Sequence, residues 1–224
     1  LMPSRLRPAM LAASVASLRD TATRPDLIEM LIAHDPDDLG TADTARQIRA
    51  DVIWQAPERY GYANSARYYA ALIEYTRGEW CLPSWGDDGL MLTDGWDDIV
   101  RSQPAASVVY TTGGDKCRNN CSPAVHMDVL AATGRASARK AILGWAWYDD
   151  VGKLAGIWRR PNPPIVLMQD RYDITGRNRD QTYLEGRSGY RAVDYYSPQW
   201  TAWRQEDARD VGHALEERKA MANG

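Results

Sequence analysis

Four short apolar runs, each cut off by turn residues and separated by other segments of helical spacing, set the fold class of this 224-residue chain. Leu27 to Ala33 (LIEMLIA) stops at His34-Asp35-Pro36-Asp37-Asp38. Asp51 to Gln55 (DVIWQ), Gly78 to Pro83 (GEWCLP) and Ser107 to Thr111 (SVVYT) are the other three. Apolar runs of about four to eight residues bounded by turn residues suit buried strands. Pro8 to Leu18 and Asn64 to Tyr75 carry helical spacing, with Asn64 as N-cap. Strand alternating with helix predicts an α/β fold with a mostly parallel central sheet flanked by helices. Beyond residue 112 the pattern loosens. TTGGDKCRNNCSP reads as a loop, and its TTGGD as a turn without the spacing of a phosphate loop. His126 to Gly134 and Trp145 to Gly156 read as short helices, Pro164 to Met168 as a strand, and Trp200 to Lys219 as a charged helix. No clean break appears, so one domain over 1–224 is expected, the second half packed on the first.

Charge and cysteine content exclude several roles. A net charge of −3, with both signs mixed along the chain, gives no basis for nonspecific binding to nucleic acid or an anionic membrane. No apolar run approaches the length of a membrane span. The early AMLAASVA segment is short and interrupted by Ser14, Ser17 and Arg19, so it reads as an amphipathic helix and the protein as cytoplasmic. Three cysteines (Cys81, Cys117 and Cys121) are too few and too odd for a disulfide framework. Cys117, Cys121 and His126 lack a fourth zinc ligand at usual spacing and read as unligated.

In open α/β sheets, ligands sit beyond the carboxyl ends of the strands. Three polar features fall there: Pro3-Ser4-Arg5, His34 to Asp38, and Gly86-Asp87-Asp88. They are expected to converge on one edge. Asp87 and Asp88 belong to WGDDGLMLTDGWDD, residues 85–98, which holds five aspartates. Asp94 reads as an N-cap, with Asp97 and Asp98 in the first turn of a helix, solvated and favoured by its dipole. Asp87 and Asp88 instead end a strand, where hard oxygen ligands suit Mg²⁺ or Mn²⁺ carrying a diphosphate. Asp149 and Asp150 read either as charge at a helix start or as a general base. The Tyr60, Tyr62, Tyr68, Tyr69 and Trp145, Trp147, Tyr148 groups read as core or as sugar-stacking platforms. His34 reads as a loop or surface residue, and His213 as facing water.

The order of these pieces carries a resemblance. P-S-R-x-R-P, a helix, strand-HDPDD, a strand, YGYANSARYYAALIEYTRGEW, GDD and GWDD together resemble glycosyltransferase family 2 proteins of GT-A fold, of the compact type common in phage and bacterial genomes. The likeness covers residues 2–111 and continues more weakly through SPAVHMDVLAATGR and WAWYDDVGKLAG. It implies that Pro3, Ser4 and Arg5 cradle a nucleotide, and that Asp35, with Asp37 in the same loop, contacts the base or ribose. Asn64 and Arg67 would face the donor pocket. Asp87, followed by Asp88, would hold a divalent cation, Mn²⁺ or Mg²⁺. Asp149 or Asp150 would take the proton from an acceptor hydroxyl in an inverting transfer. Residues 1–111 would then bind the nucleotide-sugar donor, and 112–224 would shape the acceptor side. The acceptor class stays open: a glycan, a lipid-linked sugar, a protein or a modified base. Trp85 departs from the pattern at the first carboxylate position, Leu6 stands where glycine is missing, and Met168-Gln169-Asp170 lacks a late histidine. Those departures keep an inactive binding or structural protein as the alternative. A nucleotidyltransferase is a second alternative, poorly matched by P-S-R-L-R-P.

Overall fold

A computed structural model describes residues 1–61, 64–113, 122–138, 144–169 and 195–222. Its strands are β1 (Met2–Pro3), β2 (Leu31–His34), β3 (Val52–Gln55), β4 (Trp80–Cys81), β5 (Gly89–Met91), β6 (Val108–Val109), β7 (Thr111–Thr112), β8 (Ala124–His126), β9 (Trp158–Arg159) and β10 (Ile165–Gln169). The helices are α1 (Pro8–Asp20), α2 (Leu39–Gln47), α3 (Ala66–Ile73), α4 (Trp96–Arg101), α5 (Met127–Thr133), α6 (Gly144–Leu154) and α7 (Pro198–Ala222).

β1, β2 and β3 pair in parallel in that order, with Met2 opposite Ile32 and Leu31 opposite Val52. All four residues of β2 are buried, which explains the unbroken apolar run there: both faces are covered. Two further sheets, β4-β8-β6-β9 and β5-β10-β7, mix parallel and antiparallel pairs. The SVVYT run is therefore divided between two sheets, turning at Tyr110. The LIEMLIA run forms strand only from Leu31, because Pro25–Leu27 makes a 3₁₀ turn first.

α1 starts with Pro8, whose missing N–H costs nothing in a first turn. Its buried Leu11, Ser14, Val15 and Leu18 recur at helical spacing and face the first core with Met2, Ile32, Trp85, Met91 and Leu167. A second core joins Val108, Val125, Val129, Trp147, Tyr148, Val151, Trp200 and Val211. At Gly152, α6 runs so close to β6 that an added Cβ would lie 2.8 Å from Val108 Cβ. Trp147 and Tyr148 are fully buried, so they are core rather than sugar platforms.

Several expectations need correction. Asp94 is exposed and caps nothing: Gly95, at φ +68°, precedes α4 and donates its N–H to Thr21 O at 2.6 Å. That bond pins the start of α4 to the end of α1 and turns Asp97 inward. Asp97 is 2% exposed and accepts from Thr23 N–H at 2.8 Å, Arg24 N–H at 3.0 Å and the Arg101 guanidinium. Burial pushes its carboxyl upward, but these donors win and hold it below the ordinary value. A carboxyl lowered in the folded state adds stability above about pH 4 that is lost as pH falls through its folded value. Acid unfolding of the wild type is therefore expected to steepen below about pH 4, and Asp97→Asn should flatten that limb in urea melts run from pH 7 to pH 3.

His34 is buried, not a surface residue, and its Nδ1–H donates to Asp35 O at 2.8 Å. α3 begins after Ser65 rather than Asn64, whose amide instead donates to Tyr60 O at 3.0 Å. His126 caps α5, its Nδ1 accepting from Asp128 N–H at 3.2 Å. Cys117 and Cys121 lie outside the described residues. Cys81 is buried and unbridged, with its thiol pushed up by burial. His213 is exposed. No helix of the described residues is long and apolar enough to cross a membrane.

Candidate active site

β1 ends at Pro3, and Ser4 prolongs it by donating its N–H to Ala33 O at 2.9 Å. The chain then turns through Arg5, Leu6 and Arg7 before α1. Leu6 sits at φ +54°, a left-handed conformation, with its side chain 56% exposed and its N–H on Asp38 Oδ2 at 2.7 Å. That conformation costs a non-glycine residue about 1–2 kcal/mol. Leu6→Gly should therefore raise stability by about 0.5–1 kcal/mol after glycine's own entropy cost, as an increase in urea midpoint.

Each arginine of this turn meets carboxylates from a different part of the chain. Arg5 Nη1 lies 2.9 Å from Asp35 Oδ2 and 2.7 Å from Asp37 Oδ1, and Nη2 donates to Asp37 Oδ2 at 3.0 Å. The hydrogen bond from Arg5 holds exposed Asp37 below the ordinary carboxylate range. Asp35 is 2% exposed and also accepts from the Tyr68 hydroxyl. Burial and that bond push the Tyr68 phenol well up. Asp87 and Asp88 do not end a strand as expected but lie in the turn just before β5, and from there Asp87 reaches back to the same turn: Ser4 Oγ donates to its Oδ2 at 2.8 Å, and Arg7 Nη1 to its Oδ1 at 3.2 Å. Burial pushes the Asp87 carboxyl up to about 6, with Arg7 opposing and Asp88 adding to the rise.

The three features thus converge as expected, though Asp87 and Asp88 do so from a turn rather than a strand end. Ser4, Arg5, Asp35, Asp37 and Asp87 form one hydrogen-bonded cluster, with Pro3 immediately before it. Asn64 and Arg67 stand further out. Arg67 pairs with Glu58 at 3.1 Å and lies 3.7 Å over the Tyr60 ring, which contacts Tyr68 at 5.1 Å between centroids. Asp149 and Asp150 lie on α6 in the second core. Asp149 is buried and accepts from Trp158 Nε1 and Lys153 Nζ. Asp150 is more open, its side chain 37% exposed, and accepts from the Tyr195 hydroxyl at 2.8 Å with Arg204 Nε 3.5 Å away.

Sequence reasoning missed Arg7, Tyr68 and Asp38 as members of the cluster. Arg7 had a signal, the second basic residue of P-S-R-L-R-P. Trp85, at the position of a missing carboxylate, is a packing anchor: it is 1% exposed and donates Nε1–H to Ser14 Oγ at 2.8 Å, seating the Gly86-Asp87 turn on α1. A separate apolar cavity of about 350 Å³, lined by Leu18, Met30, Ile32, Trp80, Trp96 and Val100, opens at the amino ends of the strands, away from the cluster.

Among the described residues, no three or more His, Cys, Asp or Glu side chains gather as a closed metal cage. Asp170, from the region lacking a late histidine, lies outside the described residues. A diphosphate-bound Mg²⁺ or Mn²⁺ needs less: one or two carboxylates, with phosphates and water completing its shell. Asp87 and Asp88 meet that requirement. Carboxylates also outnumber guanidiniums here, with Asp35, Asp37, Asp38, Asp87 and Asp88 against Arg5, Arg7 and the more distant Arg59. A diphosphate entering without a cation would meet an excess of its own sign, so the donor set fits a divalent cation.

No protein-family model matches the sequence, and no curated protein matches it either. Solved structures do match. Mannosyltransferase PcManGT from Pyrobaculum calidifontis, in complex with GDP-Man and Mn²⁺, aligns over 98% of this chain and 74% of its own, with TM-score 0.58 and 12% identity. S. aureus TarS 1-349 aligns over 97% of this chain and 80% of its own, with TM-score 0.48 and 11% identity. A second structure of S. aureus TarS aligns over 64% of this chain and 32% of its own, with TM-score 0.46 and 10% identity. The likeness to the mannosyltransferase, with the parallel three-stranded sheet and its flanking helices, makes the fold GT-A-like.

Proposed function

We propose that this chain is a nucleotide-sugar glycosyltransferase whose donor lies where β1 and β2 end and the turn before β5 meets them. The observation that carries the reading is the bonded cluster itself: one four-residue turn, Ser4 to Arg7, gathers Asp35 and Asp37 from the end of β2 and Asp87 from the turn before β5. Ligands of open α/β sheets bind at such an edge. In this reading residues 1–111 form the donor half and 112–224 the acceptor half of one domain.

The roles follow from the chemistry of each group. Asp35, held by Arg5 and Tyr68, presents a fixed acceptor toward the ribose or base hydrogens of the nucleotide. Arg5 is oriented by Asp35 and Asp37 as a planar donor for the phosphate side. A divalent cation, Mn²⁺ or Mg²⁺, on Asp87 and Asp88 would neutralise the leaving diphosphate as a Lewis acid. Asp150 is the better of the two α6 carboxylates for the base, because Asp149 is buried and clasped by Trp158 and Lys153. It takes the proton of an acceptor hydroxyl as that oxygen attacks the anomeric carbon, and the diphosphate leaves from the opposite face with inversion.

A thermal-shift panel of GDP-, UDP-, CMP- and dTDP-sugars, with and without Mn²⁺ or Mg²⁺, tests this. GDP-mannose with Mn²⁺ heads the panel, since the mannosyltransferase neighbour was solved with both. A ligand at about 100 times its Kd stabilises by about 2.7 kcal/mol, a rise of roughly 5–10 °C for a chain this long. One nucleotide should produce that rise only with metal, and Asp87→Ala should abolish it. A flat panel would sink the reading. A second reading, a donor-binding protein without transferase activity, is favoured by the packing role of Trp85. It predicts the same shift with no sugar transferred to any acceptor.

A further inference from the structure

Two segments of the chain are free of acid. Residues 99–114 and 151–169 contain no Asp or Glu, in a protein with 30 acidic and 27 basic residues. The fold pairs these segments twice. β6 runs beside β9, with Val108 opposite Trp158, and β7 runs beside β10. One residue past β6, Tyr110 N–H donates to Arg159 O at 2.8 Å. Side chains alternate along a strand, so Tyr110, Trp158 and Arg160 share one face of this edge. The Tyr110 and Trp158 rings lie 5.5 Å apart between centroids, tilted by 56°, and both residues are half-buried. Arg160 Cζ stands 5.7 Å over the Tyr110 ring, and Lys153 Nζ, from α6, 5.3 Å over the Trp158 ring. Cations at such distances are attracted to the ring faces. Lys153 also pairs with Asp149, whereas Arg160 is exposed and no carboxylate among the described residues pairs with it.

Strand register places this patch relative to the donor cluster. β4, β6 and β9 run parallel, because β8 opposes both β4 and β6. Beyond β4 the chain passes Leu82, whose carbonyl accepts from the Leu1 nitrogen at 3.1 Å, and reaches Asp87, which accepts from Ser4. The patch and the cluster therefore lie toward the same, carboxyl edge. Cys81 and Val108 both face Val125, so Tyr110 is level with Pro83, two strand spacings away and four residues short of Asp87. At about 4.8 Å per strand and 3.3 Å per residue, Tyr110 is on the order of 15–20 Å from Asp87. One sugar ring does not span that distance, but an oligosaccharide does.

Resting on the donor-cleft reading above, we infer that Tyr110, Trp158, Arg160 and Lys153 form a distal acceptor subsite for an anionic oligosaccharide, one that bears carboxylate or phosphate groups. The rings offer flat apolar area to the C–H faces of sugars. The Arg160 guanidinium matches a carboxylate or a phosphate with paired N–H donors. Neither segment supplies a carboxylate to cancel its charge, although the chain as a whole is negative. Rings beside cations also suit single-stranded nucleic acid, but that needs a continuous basic groove, and two cations beside one ring pair are a smaller footprint.

The test is calorimetric titration of the full chain, without nucleotide, against hexagalacturonate, a hyaluronan hexamer and pentamannosyl phosphate. Neutral maltohexaose and a six-nucleotide thymidine oligomer are the comparisons. At least one anionic oligosaccharide should bind about tenfold or more tightly than maltohexaose, and added salt should weaken it. Arg160→Gln should weaken that binding by about tenfold, the loss of one charge-assisted contact. Tyr110→Leu should weaken it as well, and if that variant does not fold, Arg160→Gln, at an exposed side chain, carries the test by itself. Carboxylate and phosphate ligands in the same panel show which anion the subsite takes. Absence of binding, equal binding of maltohexaose, or binding unchanged by Arg160→Gln overturns the inference. A metal-dependent nucleotide shift in the same preparation would then leave the donor reading standing. Equally tight binding of the thymidine oligomer, with the same dependence on Arg160, overturns it in favour of nucleic acid. If an anionic oligosaccharide binds through Arg160 but no nucleotide shifts the protein, the acceptor role falls together with the donor reading.

Discussion

Asp207→Ala is expected to destabilise the protein by about 3–5 kcal/mol, the usual cost of breaking one side of a buried ion pair. Asp207 is completely buried on α7. Arg135 Nη1 lies 3.0 Å and 3.4 Å from its two oxygens, and Trp147 Nε1 donates to Oδ2 at 2.8 Å. Alanine leaves a fully buried indole N–H without its acceptor and a guanidinium without its counter-charge, and both penalties fall on the folded state. Asp207→Asn keeps an oxygen for Trp147 and should cost less than alanine. The measurement is the urea midpoint at constant slope. A change below about 1 kcal/mol would mean that water replaces the carboxylate and that α7 is not held by it.

Asp150→Asn should lower kcat by about 10²–10⁴, the usual contribution of a general base, while leaving the metal-dependent nucleotide shift intact. Asparagine keeps an oxygen for the Tyr195 hydroxyl and nearly the same volume, so the fold should tolerate it. Asp149→Asn separates the two assignments. Losing the charge opposite Lys153 should reduce stability more than turnover, because Asp149 links α6 to β9 through Trp158. If Asp149→Asn removes turnover and Asp150→Asn does not, the roles are exchanged.

The β-α alternation was legible because residues 31–33 of a strand buried on both faces must read as an apolar run. The meeting of Ser4–Arg7 with Asp35 and Asp37 followed, since the ends of β1 and β2 in one parallel sheet fall together by topology, whereas Asp87 joins them from the turn before β5. What the sequence hid were contacts of individual side chains. Asp207 sits in a helix dense with charge, and nothing in its spacing distinguishes it from the solvated residues around it. Asp97 resembled ordinary helix-start charge, and only the left-handed Gly95 turned it onto the Thr23–Arg24 backbone. Leu6 gave no warning either, because a leucine does not announce a positive φ. Trp85 could be read only as a departure from a motif, whereas its partner Ser14 lies 71 residues away.

The Asp207 contacts also bear on how the chain folds as it is made. Arg135 precedes Asp207 by 72 residues and Trp147 precedes it by 60. At about 5–20 residues per second of synthesis, those partners wait several seconds or more for their carboxylate. Through that interval Trp147 and its neighbours cannot close the second core, whereas the three parallel strands are complete by residue 55. The nascent protein therefore carries a period with the aromatic surface of the second core uncovered, and a chaperone acting on it would find its target there.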